Sequence, residues 1–196
     1  MTTHEMIFET VVTTLSPEGV PHVAPMGIRY LPEDQGGHVV LMPFRPSTTL
    51  DNLLATGHAV LNLLTDVRVF AGCVCGQKQW PTVALAPFPG VRLAAALRHV
   101  ELELATQDHG DPQRPRLGLR PLRSVDHTPF LGLNRAQAAV VEGAVLVSRL
   151  HMLPRDKVTG EMAYLQIAID KTAGPAEHEA WGWLREAVDR HLAKPA

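Results

Sequence analysis

The chain has 196 residues, 45% of them apolar, with a formal net charge of −2. This is enough for one large domain, or for a domain with a substantial appendage, built around a full core. The balanced charge argues against a general nucleic-acid binder, which carries a basic stripe. No apolar run reaches the length of a membrane span. Met1-Thr2-Thr3-His4-Glu5 lacks the basic, apolar and small-residue order of a secretory leader, so a cytoplasmic location is expected. Cys73 and Cys75 are separated by one residue, where a disulfide would be strained, and nothing points to an oxidising compartment.

The first third reads as β-rich. Ile7 to Leu15 carries Val and Thr throughout and suits a strand. Ser16-Pro17-Glu18-Gly19 is a turn, and Val20 to Tyr30 returns as the second strand of a hairpin. Pro21 and Pro25 cannot donate to a ladder, so this second strand is expected at an edge, at a bulge or facing a ligand. A turn over 32–37 leads to a short strand, His38 to Met42. Ser47 to Thr56 is a helix with Gly57 placed to end it, and Ala59 to Leu64 is the next strand.

The middle is less regular. Val67 to Val74 is an apolar run read as a strand, which would put Cys73 and Cys75 on one face. Trp80 to Gly90 holds Pro81, Pro87 and Pro89 and reads mostly as loop. Leu93 to Leu97 has a helical option, whereas Val100 to Ala105 alternates as a half-buried strand does. Asp108 to Arg116 is a polar loop, and Leu117 to Val125 the strand after it. The last third is helical. Helices are expected over Asn134 to Met152, over Met162 to Lys171 and from Pro175 to about Leu192. Trp181, Leu184, Val188 and Leu192 form one apolar face of the third.

Phe44-Arg45-Pro46-Ser47-Thr48-Thr49-Leu50-Asp51-Asn52 is the most informative stretch. It is a cationic, hydroxyl-rich turn that opens into a helix. The unpaired N–H groups and partial positive charge of a helix start, with Arg45 and three hydroxyls, suit a phosphate dianion. The plainer reading is a capped helix, in which Thr48-x-x-Asp51 is a capping box with Asp in place of Glu.

Other chemistry is sparsely signalled. His99-x-Glu101 and Cys73-x-Cys75 are the close pairs of ligand types, without the matched sets of a zinc site, so no metal is expected. No G-x-G-x-x-G follows a strand, and no Ser-His-Asp set has a recognisable context. Arg114, Arg116, Arg120 and Arg123 form a local basic cluster, either a solvated loop or a surface for an anionic substrate such as a nicotinamide donor.

Four segments in order carry a resemblance. They are Val12-Thr13-Thr14-Leu15-Ser16-Pro17-Glu18-Gly19, Val23-Ala24-Pro25-Met26-Gly27, Ser47-Thr48-Thr49-Leu50-Asp51-Asn52-Leu53 and Ala59-Val60-Leu61-Asn62-Leu63. Together they resemble the FMN-binding split barrels, which include the flavin-reductase-like and pyridoxamine-phosphate-oxidase-like proteins. Leu133-Asn134-Arg135-Ala136, Arg149-Leu150-His151 and Lys171-Thr172-Ala173-Gly174-Pro175 with Glu179-Ala180-Trp181 look like the family of domain of unknown function 447. The resemblance spans about Ile7 to Leu192 and is weakest between Gln77 and Arg123.

The resemblance implies a β-barrel plus α fold: an FMN-binding split barrel over residues 1–130, variable over about 77–123, and a helical segment over 131–196 packed on it. It implies a homodimer with FMN at the subunit interface. Arg45, Ser47, Thr48 and Thr49 would receive the phosphate, with Asn52 reaching back to it, holding the loop, or serving as a surface amide. Ala24, Pro25, Met26 and Gly27 would border the flavin ring, and Thr13 and Thr14 would bond its edge or simply form strand. Ile28 and Arg29 are weaker candidates, because alternation turns only one of them inward. Arg135 would reach the cofactor or a substrate anion, or lie on the surface. No catalytic side chain is identified, since a flavin carries its own chemistry. Two functions follow: an FMN-dependent oxidoreductase of unknown substrate, using NAD(P)H or another small redox substrate, or a non-catalytic FMN carrier, sensor or assembly protein.

Overall fold

In the computed structural model, residues 5–194 are described. The leader reading rests mainly on residues 1–4, outside that range. The hairpin is as expected: β1 (Phe8–Leu15) and β2 (Pro21–Tyr30) pair antiparallel along their length, from Phe8↔Ile28 to Leu15↔Pro21. Gly19, at φ 80°, closes the turn and donates its N–H to Ser16 O at 2.9 Å. β3 (Val39–Leu41), α1 (Thr48–Thr56) and β4 (His58–Leu63) follow, with Gly57 ending α1 in the left-handed conformation at φ 74°.

One expected strand is a helix. Residues 68–74 form α2 (Arg68–Val74). A short, wholly apolar run cannot be told apart by periodicity. Here the Asp66 carboxylate decides: it accepts the Arg68 N–H at 3.2 Å and both ends of the Arg68 guanidinium at 2.8 Å, fixing the first turn. Cys73 therefore lies in a helix and Cys75 at its C-cap, about 200° apart around the axis rather than on one strand face. The two are not bridged, and Cys75 donates its thiol to Trp183 O.

Part of the proline-rich loop is also ordered. β5 (Thr82–Ala84) and β6 (Val91–Leu93) form a separate hairpin, and Leu93 belongs to it instead of to a helix. β7 (Arg98–Asp108) and β8 (Arg116–Asp126) are the long pair flanking the polar loop. α3 (Arg135–Ser148) is capped by the Asn134 carboxamide and stops six residues before Pro154. Pro154 instead precedes α4 (Arg155–Thr172), which starts a full seven residues before the expected Met162. α5 (Pro175–Leu192) has its proline in the first turn, as expected.

The six strands β1-β2-β3-β8-β7-β4 close an antiparallel barrel. Val12, Ile28, Val39, Leu41, Leu61, Leu102, Leu117 and Leu119 fill it, and Leu50 and Leu53 of α1 join the same cluster. Each leucine is fully buried, so truncating any one to alanine costs about 2–5 kcal/mol. β2 pairs with β3 only at Arg29 and Tyr30, because β3 is three residues long. From Ala24 to Ile28 no described strand lies along the other side of β2, which accommodates Pro25.

Contacts divide the chain into two compact units. One holds residues through Leu64 with Gln79–Pro129; the other holds Thr65–Lys78 with the chain from Phe130 onward. In the helical unit Gly143 lets α3 meet α5: a Cβ there would lie 2.8 Å from the Trp181 ring. Trp181, Leu184 and Val188 are buried on the expected face of α5. Among the described residues, no helix is long and apolar enough to cross a membrane.

Candidate functional site

The turn after β3 delivers a polar helix start beside the core. Leu50 and Leu53 fasten α1 to the barrel, so its first turn is held in place by about 1.5–3 kcal/mol of burial per leucine. The N-cap is Ser47, whose hydroxyl accepts Leu50 N–H at 3.2 Å. The expected Thr48-x-x-Asp51 capping box is not formed, because the cap falls one residue earlier. Thr48 is exposed and Thr49 is 1% exposed. The Thr49 hydroxyl is buried and has no hydrogen-bond partner, an arrangement that costs about 1–3 kcal/mol when nothing fills it. Asn52 is buried and donates to the Thr14 hydroxyl at 3.0 Å, bracing α1 on β1.

Arg45 is exposed on the turn, and its backbone N–H donates to Gln113 O at 2.9 Å. The loop between β7 and β8 thus reaches the turn. Arg114 donates its Nε to Met42 O at 3.2 Å and sets its guanidinium over the Phe44 ring, 4.5 Å from the centroid. The sequence named both Phe44 and Arg114 but did not connect them; the signal lay in two segments seventy residues apart.

β2 supplies the second wall. Ala24, Pro25, Met26 and Gly27 are half-buried along the stretch that lacks a second strand. Met26 packs against the barrel core, and its carbonyl accepts the Thr10 hydroxyl at 2.9 Å. Gly27 lets the chain ahead of β1 come close, since a Cβ there would lie 2.9 Å from Ile7 Cγ2. Alternation sends Ile28 into the core and Arg29 to the other face, although both are buried. Arg29 Nε pairs with Glu5 at 3.1 Å, and its Nη1 is buried without a partner. The hydrogen bond from Arg116, then the fields of Arg116 and Arg29, hold the Glu5 carboxyl below its ordinary pKa.

Thr13 is committed elsewhere. It donates to Val91 O and accepts Asn62 Nδ2 at 3.2 Å. Asn62 also donates to Val11 O and Val60 O, each at 3.2 Å, and accepts Leu93 N–H at 2.7 Å. This network clamps the β5–β6 hairpin on the barrel's outer face. The four arginines of the basic cluster do not form one patch: Arg116 pairs with Glu5, Arg120 with Glu103, Arg123 approaches Glu101, and Arg114 stacks on Phe44. Arg135 lies in the helical unit, exposed at the first position of α3. It lines a groove of about 420 Å³ with Glu142, Tyr164 and Ile167.

The sequence does not signal a histidine pair formed by buried His99 and exposed His127. His99 Nδ1 and His127 Nε2 are 2.8 Å apart, with stacked rings. Burial lowers the pKa of both; the neighbouring charge of His127 further lowers that of His99, while Glu101 opposes it. Among the described residues no three ligand-type side chains are grouped to hold a metal.

The signature of the N-terminal domain of DUF447, a protein family of unknown function, matches residues 8–128, and the family's C-terminal signature matches residues 134–186. The chain belongs to the DUF447 family. The sequence matches none of the curated proteins compared. Among solved structures, an FMN-bound DUF447 protein from Methanosarcina mazei aligns at a TM-score of 0.77 and 23% identity, over 94% of this chain and 96% of that one. The 2-nitrobenzoate 2-nitroreductase of Pseudomonas fluorescens aligns at 0.54 and 18% identity, over 64% and 67%. The styrene monooxygenase flavin reductase of Pseudomonas putida aligns at 0.51 and 12%, over 61% and 81%. The fold of this DUF447 chain is therefore the flavin-reductase-like split barrel, with helices added.

Proposed function

We propose that this chain binds FMN and acts as an oxidoreductase of the flavin-reductase-like type. The observation that carries the reading is the first turn of α1, which gathers Arg45, the N-cap Ser47, Thr48 and the buried, unpartnered hydroxyl of Thr49 within five residues. A phosphate dianion fits that donor set: a forked guanidinium, hydroxyls and the first N–H groups of a helix. The FMN-bound relative of the same family supports the choice of ligand. Ala24, Pro25, Met26 and Gly27 would border the ring, with the main chain of β2 facing it where β3 stops short. Thr14 and Asn52 bond each other and would hold α1 at the distance the ligand needs. Thr13 serves the hairpin, and Arg135 falls outside this donor set.

Bound flavin supplies hydride and electron transfer; the chain supplies binding, orientation and charge. We infer a homodimer in which a second copy completes the ring site.

The purified protein should take up FMN in preference to riboflavin. Arg45→Ala combined with Ser47→Ala should weaken FMN binding far more than riboflavin binding. Equal losses remove these residues from the phosphate site, and a wild type that binds neither ligand ends the cofactor reading. Stopped-flow mixing of the flavin-loaded protein with NADH or NADPH separates enzyme from carrier: repeated turnover supports the first, and a flavin that no donor reduces supports the second. Light scattering checks the dimer.

A further inference from the structure

The loop over residues 109–115 joins the long strands β7 and β8, yet it is built as a rigid bracket. Asp108 Oδ1 accepts Gly110 N–H at 2.8 Å, and Asp111 Oδ1 accepts the N–H groups of Gln113 and Arg114 at 2.9 and 3.2 Å. Two carboxylates thereby fix the backbone that presents Gln113 and Arg114. The bracket meets the turn at three points: Gln113 O takes Arg45 N–H, Arg114 Nε bonds Met42 O, and the Arg114 guanidinium covers Phe44. These contacts hold Met42, Phe44 and the Arg45 N–H, the main chain leading into the Arg45 side chain, which itself is exposed.

We propose that the 109–115 loop sets the phosphate selectivity of the site, with Arg114 as the residue that positions Arg45. This rests on the FMN reading above. A forked phosphate contact demands the guanidinium within a fraction of an ångström and a narrow angle. A turn held only by its own backbone would lose that geometry, and with it the advantage of FMN over riboflavin. Arg114 acts through Phe44 and Met42. Its Nε serves the Met42 carbonyl while the guanidinium plane covers the Phe44 ring; a lysine's single ammonium can serve only one of these at a time, so it does not replace Arg114.

Three readouts test this. In ligand-free protein, hydrogen exchange at the Arg45 amide should quicken in Arg114→Gln, with no change at core amides such as Leu61. In titrations, Arg114→Gln and Phe44→Leu should each cut FMN affinity about tenfold and riboflavin affinity less than about twofold, and the double variant should lose no more than the worse single. Arg114→Lys should behave like Arg114→Gln. Full rescue by lysine would show direct charge contact and overturn the positioning role. Additive losses, equal losses for both ligands, or an unchanged Arg45 amide would overturn it as well. The FMN reading fails separately, through a wild type that does not prefer FMN or an Arg45→Ala variant that keeps the preference; in either case the loop has no selectivity to set and the proposal falls with it.

Discussion

Thr13 and Thr49 are each 1% exposed, and their surroundings are opposite. Thr13 lies under the β5–β6 hairpin in a network that satisfies its hydroxyl and every hydrogen-bonding group of the Asn62 side chain. Thr49 lies at the first turn of α1 with no partner. Buried polar groups that are fully paired within the chain hold the fold together; one left unpaired is a cost the fold does not recover internally, and at Thr49 it lies in the turn proposed to receive the phosphate. The contrast separates two regions that composition alone would rank as equals.

The comparison breaks most visibly at Asn62. Asn62→Leu leaves the Leu93 N–H without its acceptor and takes one donor each from Val11 O, Val60 O and the Thr13 hydroxyl, so urea denaturation should show a loss of about 2–4 kcal/mol. Any flavin affinity that survives should be unchanged per folded molecule. Thr49→Val should show the reverse. Removing an unpaired hydroxyl should leave stability equal or raise it by up to about 1 kcal/mol, while FMN affinity drops about tenfold. A clear loss of stability in Thr49→Val would mean the hydroxyl is paired in solution, and the contrast with Thr13 would vanish.

The histidine pair gives a smaller, pH-dependent effect. Burial depresses the folded-state pKa of His99 and His127, so the unfolded chain takes up protons first as pH falls. Stability should be full above about pH 6.5 and decline below it, until the folded pair also titrates. His99→Phe should flatten that part of the melting-temperature profile. The smallest expected change is at Thr13→Val, about 1 kcal/mol, because Asn62 retains its other bonds.

Most of the barrel was legible because its strands are bounded by unambiguous punctuation. Ser16 to Gly19 and the pair Ser47 and Gly57 fix four element ends within a residue or so. Val67 to Val74 was misread because its helical signal is the side chain of Asp66, outside the apolar run. The donors at 45–49 could be named from the sequence, since a helix start concentrates them locally. The bracket from Gln113 and Arg114, and the pairing of His99 with His127, could not: each joins residues on separate strands or loops whose register only the folded barrel sets.

The shortness of β3 has a consequence for how this protein tolerates change. Over Ala24 to Ile28, β2 offers a strip of main chain with no second described strand beside it. Proline apart, main chain offers the same N–H and C=O groups whatever side chain it carries. Recognition through such a strip survives wide drift in sequence, and alanine scanning would pass over it in silence. One inserted residue would shift every group along the strip and turn Met26 and Ile28 out of the core. That strip, unlike the side chains of the 45–49 turn, is thus protected against substitution and exposed to changes in length.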